Sequence, residues 1–189
     1  MQKPSQPSCC FCDTAFGPVA VLWSVHRGLA KILRIVLPGP GRSVKELVQT
    51  AFPDALSASC AEMDAVADRI VAFLAGENTQ FALDIVRLDR CSGFGRKVLR
   101  AVHGIPRGRA RSYQQIAARV GAPAAARAVG TVMASHPFPI IIPCHRVIRS
   151  DGTLGGYQPG DKMKRTLLEM EGFTQFIPSR KETRESRSV

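Results

Sequence analysis

A cysteine and a histidine stand side by side in the segment IIIPCHRV, residues 140–147. Cysteine reacts as its thiolate, and an ordinary pKa of about 8.5 leaves the thiol mostly protonated at neutral pH. A nucleophile at Cys144 therefore needs a base, and His145 in turn needs a carboxylate to orient its ring. Adjacent side chains of an extended segment point to opposite sides, so neighbourhood alone does not aim the ring at the sulfur. Cys144 remains a candidate nucleophile, metal ligand or inert core residue, and local chemistry alone favours the last.

Carboxylates are scarce around this segment. Residues 91–175 contain 13 Lys and Arg but only four acidic residues, Asp151, Asp161, Glu169 and Glu171. Residues 1–90 are neutral, with 9 residues of each sign. Such an uneven distribution favours a polyanionic partner, most simply nucleic acid, over a merely solvated basic surface.

The basic half contains a predicted helix-turn-helix. Ser112 and Gln115 have the spacing of a capping box that begins a short helix, and Gly121 supplies a left-handed residue at its end. A second helix is predicted over 123–135. Ala and Gly dominate this second helix, which carries one long cation, Arg127. Two interpretations stay open: a tightly packed core helix, or a helix that lies deep in a narrow groove of DNA and reads little sequence.

The neutral half is predicted to mix strands and helices. Segments 18–25 and 29–37 are rich in β-forming residues and flank a hairpin turn. A capping box at Ser43 begins a short helix, and apolar residues at helical spacing predict a longer helix over 62–75. Alternating apolar and polar residues predict a strand over 79–86. The pattern is that of a small α/β domain.

Composition divides the chain into three parts. We expect an α/β domain at 1–90, a mostly helical basic domain at 91–175 and a polar, mobile tail at 176–189. No apolar run is long enough to cross a bilayer and the first residues lack a signal core, so we expect an intracellular protein with no membrane partner. The CCFC segment near the N-terminus has no second Cys or His pair at zinc-ligand spacing, which argues against a metal site.

Several segments of the basic half occur together in the order typical of one protein family. These are IPRGRARSY (105–113), RAVG (127–130), PCHRV (143–147) and LLEMEG (167–172). With this combination the chain closely resembles the O6-alkylguanine-DNA alkyltransferases, the methylated-DNA–protein-cysteine methyltransferases. The resemblance covers about residues 91–172, and the neutral half fits the N-terminal domain of the family more loosely.

The resemblance implies a fold and an activity. The fold is α/β (α+β), with a ribonuclease H-like domain of sheet and helix followed by a winged-helix-like domain that carries the helix-turn-helix. The implied activity is single-use DNA repair, in which a cysteine takes the alkyl group from O6-alkylguanine, with O4-alkylthymine as a further candidate substrate. No cofactor or metal is implied. The partner is double-stranded DNA approached from the minor groove by a monomer, in the cytoplasm of a prokaryote or the nucleus of a eukaryote.

The resemblance also assigns roles to individual residues. Cys144 is the nucleophile, His145 acts on it through a water, and Glu171 orients His145. Tyr113 helps to turn the base out and hydrogen-bonds the guanine so that it leaves neutral, while Arg127 fills the space left in the duplex. Further expected DNA contacts are Phe94, Gln114, Ala125, Ala126, Ala128, Gly130 and Ser150. The expected substrate pocket comprises Val147, Gly155, Gly156, Tyr157 and Gln158.

One departure from the family bears on the site. His136 stands where the family usually has an Asn that ties the turn between the recognition helix and the cysteine segment. A histidine donates or accepts in one ring orientation, whereas an amide does both, so we expect His136 to affect the placement of Cys144. An alternative function is a protein that binds alkyl lesions with little or no transfer. A transcriptional regulator is less favoured, because no second DNA-reading or dimerising module is visible.

Overall fold

The computed structural model describes residues 6–176, which form two compact units. The first unit contains the chain up to Arg96 together with His136–Ile142, and the second contains Lys97–Ser135 and the chain from Pro143 onward. Apart from Phe176, the tail predicted at 176–189 lies outside the described residues.

The first unit is built on a four-stranded sheet with the order β3-β2-β1-β4. Strands β1 (Ser8–Thr14), β2 (Gly17–His26) and β3 (Leu29–Val36) pair antiparallel in sequence order, which confirms the predicted hairpin. The short β4 (Leu56–Ser57) pairs parallel with β1. The sheet therefore consists of a three-stranded meander, β1 to β3, and the short edge strand β4.

Two helices pack on this sheet. Helix α1 (Val44–Ala51) buries Val44 and Val48 in a core cluster with apolar residues of all three long strands. Its predicted capping box is present, because the Ser43 backbone N–H donates to Glu46 Oε2 at 2.7 Å and the Glu46 N–H donates to Ser43 Oγ at 3.2 Å. Helix α2 (Ala61–Leu74) packs against β1 and β2 and buries the residues expected from its spacing, namely Met63, Val66, Ile70, Phe73 and Leu74.

The strand predicted over 79–86 is wrong. The backbone instead turns through two single-turn 3-10 helices, Leu83–Ile85 and Leu88–Arg90, and its only sheet-like contact is an isolated bridge from Val86 to Ile32. The Arg87 N–H donates to the Ile32 carbonyl of β3 at 3.0 Å, but the Val86 N–H donates back to the Leu83 carbonyl at 3.4 Å and closes a local turn, so no ladder extends along the segment. Alternation of apolar residues reports which side chains face inward and does not by itself establish a strand.

The CCFC segment lies within β1, a strand that the sequence pattern did not predict. All six cysteines of the chain are free thiols. Within residues 6–176, no group of three or more His, Cys, Asp or Glu side chains is arranged to hold a metal ion. No helix in that range has the length and apolar character needed to cross a membrane.

The second unit contains the predicted helix-turn-helix. Helices α4 (Tyr113–Arg119) and α5 (Ala126–Ser135) pack against each other after α3 (Gly93–His103). The capping box of α4 is present, and Gly121 has a φ of +78° as predicted. Helix α5 begins three residues later than expected, because Ala122–Ala125 form a turn closed by a 2.8 Å hydrogen bond between their end residues.

A two-stranded parallel sheet joins the start of α4 to the cysteine segment. Strand β5 (Arg111–Ser112) pairs with β6 (Val147–Ile148), which follows directly on a 3-10 turn formed by Cys144–Arg146. Helix α6 (Asp161–Met170) packs against that turn. The fold is thus the mixed α/β arrangement predicted, a small sheet with helices followed by a mostly helical unit.

Candidate active site

Cys144 begins the 3-10 turn directly after Pro143, and its side chain is 6% exposed. Burial raises the pKa of the Cys144 thiol to about 12. The charge of Lys164, the backbone N–H groups of Cys144 and His145 and the hydroxyl of Tyr157 all act in the opposite direction without cancelling that rise. The thiol is therefore protonated at neutral pH, and a reaction at the sulfur needs a route for its proton.

The hydroxyl of Tyr157 is buried and, within the described residues, makes no hydrogen bond of ordinary geometry. Burial raises its pKa well above the usual value, and the neighbouring Cys144 raises it further, so the hydroxyl stays protonated. A neutral thiol is a weak acceptor, whereas a thiolate accepts strongly. We therefore interpret Tyr157 as a donor that stabilises the charged form of the sulfur.

A buried cluster of charged groups lies next to the cysteine. Glu171 Oε1 lies 3.0 Å from Nε2 of His145. The same carboxylate accepts two hydrogen bonds from Arg146, at 2.7 Å from Nη2 and at 2.8 Å from Nε. The third donor of Arg146, Nη1, reaches the carbonyl of Ile105 at 2.6 Å. Sequence reasoning paired Glu171 with His145 but missed Arg146, although its place beside His145 in PCHRV was a usable signal.

The electrostatics of this cluster fix the state of the histidine. Burial alone would raise the pKa of Glu171, but the hydrogen bonds from His145 and Arg146 lower it to about 2, so the carboxylate stays ionised. Burial lowers the pKa of His145, and the Glu171 charge opposes that shift without reversing it. The His145 ring is therefore neutral at neutral pH. A neutral imidazole carries one proton on its two nitrogens, so the ring can still accept a second proton.

Lys164 is a second residue that sequence reasoning missed. Its side chain is fully buried, and its Nζ donates to the carbonyls of Val147 at 2.6 Å and Leu154 at 2.5 Å. These bonds tie β6 to the loop that follows it. Burial lowers the pKa of the ammonium to about 8, which leaves it mostly charged at neutral pH. The signal in the sequence was a lysine three and four residues before Leu167 and Leu168, on the apolar face of α6.

Tyr113 is the first residue of α4 and packs between two glycines. A Cβ added to Gly155 would lie 3.0 Å from the Tyr113 Oη and 3.2 Å from its Cε2, and one added to Gly130 would lie 4.0 Å from the ring. Burial raises the pKa of the Tyr113 hydroxyl, and the nearby Cys144 raises it further. Tyr113 is thus a protonated donor near the sulfur. Its ring occupies space that is open because Gly130 and Gly155 have no side chains.

The structure brings some of the predicted site residues together and leaves others apart. Tyr113 and Tyr157 lie near Cys144, Glu171 contacts the His145 ring, Gly130 and Gly155 lie against Tyr113, and the Val147 carbonyl accepts from Lys164. Six of the others have exposed side chains or backbone, namely Gln114, Arg127, Ala128, Ser150, Gly156 and Gln158, while Ala125 and Ala126 are half-buried. Phe94 and His136 belong to the first unit.

His136 closes a turn within the first unit. Its Nδ1 accepts a hydrogen bond from the Phe138 N–H at 3.3 Å, and burial lowers the pKa of the ring to about 4, which keeps that nitrogen an acceptor. His136 therefore accepts a hydrogen bond as the oxygen of an Asn amide would, while the donor role of the amide NH₂ group is not reproduced by this nitrogen. Two residues after Phe138, Ile140 has a φ of +71°, and the Ile141 N–H donates to the Pro139 carbonyl at 2.9 Å. This three-residue turn is of a rare and strained kind, especially for a β-branched residue.

Replacing Glu171 by Gln should lower the free energy of unfolding at neutral pH by about 3–5 kcal/mol, because Arg146 loses its buried counter-charge. The folded pKa of about 2 lies below the ordinary 4.5, so the carboxylate stabilises the fold above pH 4.5 and loses this effect as the pH falls toward 2. The difference between wild type and Glu171→Gln should therefore shrink across that window. Urea unfolding at a series of pH values measures it.

Glu169→Gln, an exposed position two residues earlier on α6, is the matched control and should change stability little at any pH. A stability difference for Glu171→Gln that stays constant between pH 5 and about pH 2 would contradict an ionised, partnered carboxylate.

Gly155→Ala should destabilise the protein by more than the roughly 1–2 kcal/mol that an alanine costs at positive φ, because its Cβ would also displace Tyr113. Gly121→Ala isolates the backbone term, since Gly121 has a similar φ of +78° and no atom within 4 Å of the added Cβ. Chemical unfolding of both variants measures the difference, and equal losses would show that Tyr113 is not held by the absence of a side chain at Gly155.

Comparison with known proteins places the chain among relatives over most of its length. The family model described as "6-O-methylguanine DNA methyltransferase, DNA binding domain" matches residues 93–173. The methylated-DNA–protein-cysteine methyltransferase of Salmonella typhimurium is 36% identical over 174 residues, 90% of this chain and 92% of the relative. The protein of the same name from Methanothermobacter thermautotrophicus is 47% identical over 107 residues, which span 57% of this chain and only 60% of that relative.

A solved structure gives the same result for the fold. The crystal structure of Mycobacterium tuberculosis OGT in complex with DNA matches with a TM-score of 0.68 and 36% identity, over 87% of this chain and 93% of the other. The cysteine, histidine and glutamate that the motifs singled out are the ones that the fold assembles around one buried sulfur. The chain belongs to the methylated-DNA–protein-cysteine methyltransferase family.

Proposed function

We propose that this protein repairs DNA by a direct, single-use transfer of an alkyl group from O6-alkylguanine to Cys144. The observation that carries the proposal is a buried Cys144 followed directly by His145, whose ring contacts an ionised Glu171, with the Tyr113 hydroxyl near the sulfur. The names of the relatives and the DNA in the Mycobacterium tuberculosis OGT structure support the same reaction and partner. O4-alkylthymine is a second candidate substrate.

The proposed reaction forms a bond between Cys144 Sγ and the alkyl carbon while the bond from that carbon to guanine O6 breaks. Because the thiol begins protonated, its proton passes to the neutral ring of His145, through a water, and Glu171 stabilises the resulting imidazolium. Tyr113 hydrogen-bonds the departing guanine, which takes up one proton from solvent and leaves neutral, while the His145 imidazolium releases its proton to solvent. The net change moves one proton from thiol to guanine and leaves a thioether, so the protein acts once and consumes no cofactor.

The base has to leave the duplex to reach the sulfur, because O6 of a stacked guanine cannot approach a side chain that is 6% exposed. Arg127, an exposed residue in the first turn of α5, is suited to occupy the space that the base leaves. The small residues beside it, Ala125, Ala126 and Ala128, allow the helix to approach DNA closely from the minor groove. Basic side chains would supply affinity with little sequence preference.

A second candidate function is lesion binding with little or no transfer. Two observations favour it: the raised pKa of the Cys144 thiol, and His136 at a position where the family usually has Asn. Binding of alkylated DNA that survives Cys144→Ala, combined with no transfer by the unsubstituted protein, would select this function over repair.

Incubation with duplex DNA that contains O6-methylguanine should add one methyl mass to the peptide that carries Cys144. The chain offers internal controls, because peptides with the other thiols at positions 9, 10, 12, 60 and 91 should keep their mass. Intact-protein and peptide mass spectrometry measures both. Stoichiometric exposure that leaves the Cys144 peptide unmodified would reject the transfer reaction.

Arg127→Ala should slow transfer from duplex DNA by about tenfold or more, equivalent to about 1.4 kcal/mol or more of lost stabilisation, while transfer from the free alkylated base stays unchanged. The reason is that the free base does not need to be flipped. Arg109→Ala removes the same charge from an exposed position outside α5 and serves as control. Equal loss on duplex and free base would contradict the role of Arg127 in base extrusion.

A further inference from the structure

A cavity of about 390 Å³ opens beside α4 in the second unit. One wall is the segment that follows α3, Gly104–Pro106, and the other consists of Arg111 from β5 and of Gln115, Ile116 and Arg119 from α4. We call this cavity the α4 groove. Ile105, Pro106 and Arg111 lie in the segment IPRGRARSY, but no role at Cys144 was assigned to any lining residue from the resemblance.

The groove and Tyr113 lie on different sides of α4. Gln115 and Arg119 are four residues apart and so share one side of the helix. Tyr113 precedes Gln115 by two residues, which places it about 200° around the axis from Gln115 at 3.6 residues per turn. Anything held in the α4 groove is therefore separate from a base presented to Cys144 near Tyr113.

The groove is positively charged and lacks a matching anion. Arg111 and Arg119 are exposed, and neither forms an ion pair with a carboxylate among residues 6–176. The hydrogen bond of Arg111 goes to the carbonyl of the preceding residue at 3.2 Å. The Arg119 guanidinium lies 3.8 Å from the place where a Cβ on Gly104 would stand, beside the last carbonyls of α3. The partial negative charge of those carbonyls attracts the Arg119 guanidinium, but it does not neutralise the charge of Arg111.

The polar wall also offers a neutral donor. Gln115 Oε1 accepts the Ser112 N–H at 2.8 Å in the capping box, which leaves the NH₂ group of the same amide available as a donor. Two guanidinium groups and an amide NH₂ line one cavity. This set of donors matches phosphate oxygens, which guanidinium groups bind in pairs.

We propose that the α4 groove binds backbone phosphates of a DNA segment other than the one whose base is presented to Cys144. The choice of DNA rests on the proposed function, and it is supported by the 13 Lys and Arg against four acidic residues in 91–175. The groove would add affinity that is independent of sequence and of damage, and it would hold the protein on DNA between lesions.

The test compares the double variant Arg111→Gln, Arg119→Gln with the unsubstituted protein in binding to an undamaged duplex at several salt concentrations. Loss of two phosphate contacts should reduce the slope of log affinity against log salt by about 1.8, from about 0.9 per contact. Between about 50 and about 200 mM salt, the unsubstituted protein should therefore lose about twelvefold more affinity than the variant.

The control is Arg109→Gln, Lys162→Gln, which removes the same charge from two exposed positions of the same unit that do not line the groove. A slope equal to that of the groove variant would overturn the proposal, because total charge alone would then explain the binding. An unchanged slope in the groove variant would overturn it as well.

A second variant, Gly104→Glu, tests the site without removing an arginine. An added Cβ at Gly104 meets no atom closer than 3.6 Å and lies 3.8 Å from Arg119 Nη2, so the substitution introduces a negative charge at the groove beside Arg119. It should lower duplex affinity as the double variant does, and unaltered affinity would count against the groove. Transfer from the free alkylated base should be unchanged in both variants. Failure of that transfer in the unsubstituted protein would reject the proposed function itself, whereas an insensitive salt slope rejects only the groove.

Discussion

The site depends on one buried carboxylate, that of Glu171, and on its two partners, the Arg146 guanidinium and the His145 ring. Burying a charge costs several kcal/mol unless a partner of good geometry repays it. Glu171 satisfies this condition through two hydrogen bonds from Arg146 and one contact with His145. Because Arg146 also holds the Ile105 carbonyl, the end of α6, the turn at the cysteine and the segment after α3 are fixed by the same set of bonds. The orientation of the His145 ring is then a consequence of packing, since the carboxylate cannot move without unpairing the arginine.

Close approach is the second requirement, and it is met on the other side of the sulfur. Lys164 holds β6 and the following loop together through two backbone carbonyls, and that loop brings Gly155 against Tyr113. The start of α4 is joined to the same region through the pairing of β5 with β6. The pairing of β5 with β6, the close approach of Gly155 to Tyr113 and the buried Lys164 ammonium therefore determine the position of the Tyr113 hydroxyl relative to Cys144.

Much of this arrangement could be predicted from the sequence, and the omissions have physical causes. Capping boxes at Ser43 and Ser112 are local, so their spacing predicted two helix starts that the structure confirms. Motif order led to Cys144, His145 and Glu171, which the fold brings together. Lys164 and Arg146 were missed because their side chains are satisfied by backbone carbonyls and by a carboxylate remote in sequence, and a hydropathy pattern records neither. The strand predicted over 79–86 failed because an alternating pattern reports burial and does not distinguish ladder bonds from turn bonds.

The raised pKa of the Cys144 thiol has a consequence for the lifetime of the protein. In the proposed reaction Cys144 is used once, so it must survive until the alkylated base arrives, and cysteine is lost to oxidation chiefly as an exposed thiolate. At 6% exposure and with its proton retained at neutral pH, the sulfur is a poor target for peroxides in solution. The burial that makes the thiol slow to ionise thus also protects it from oxidation before the proposed transfer.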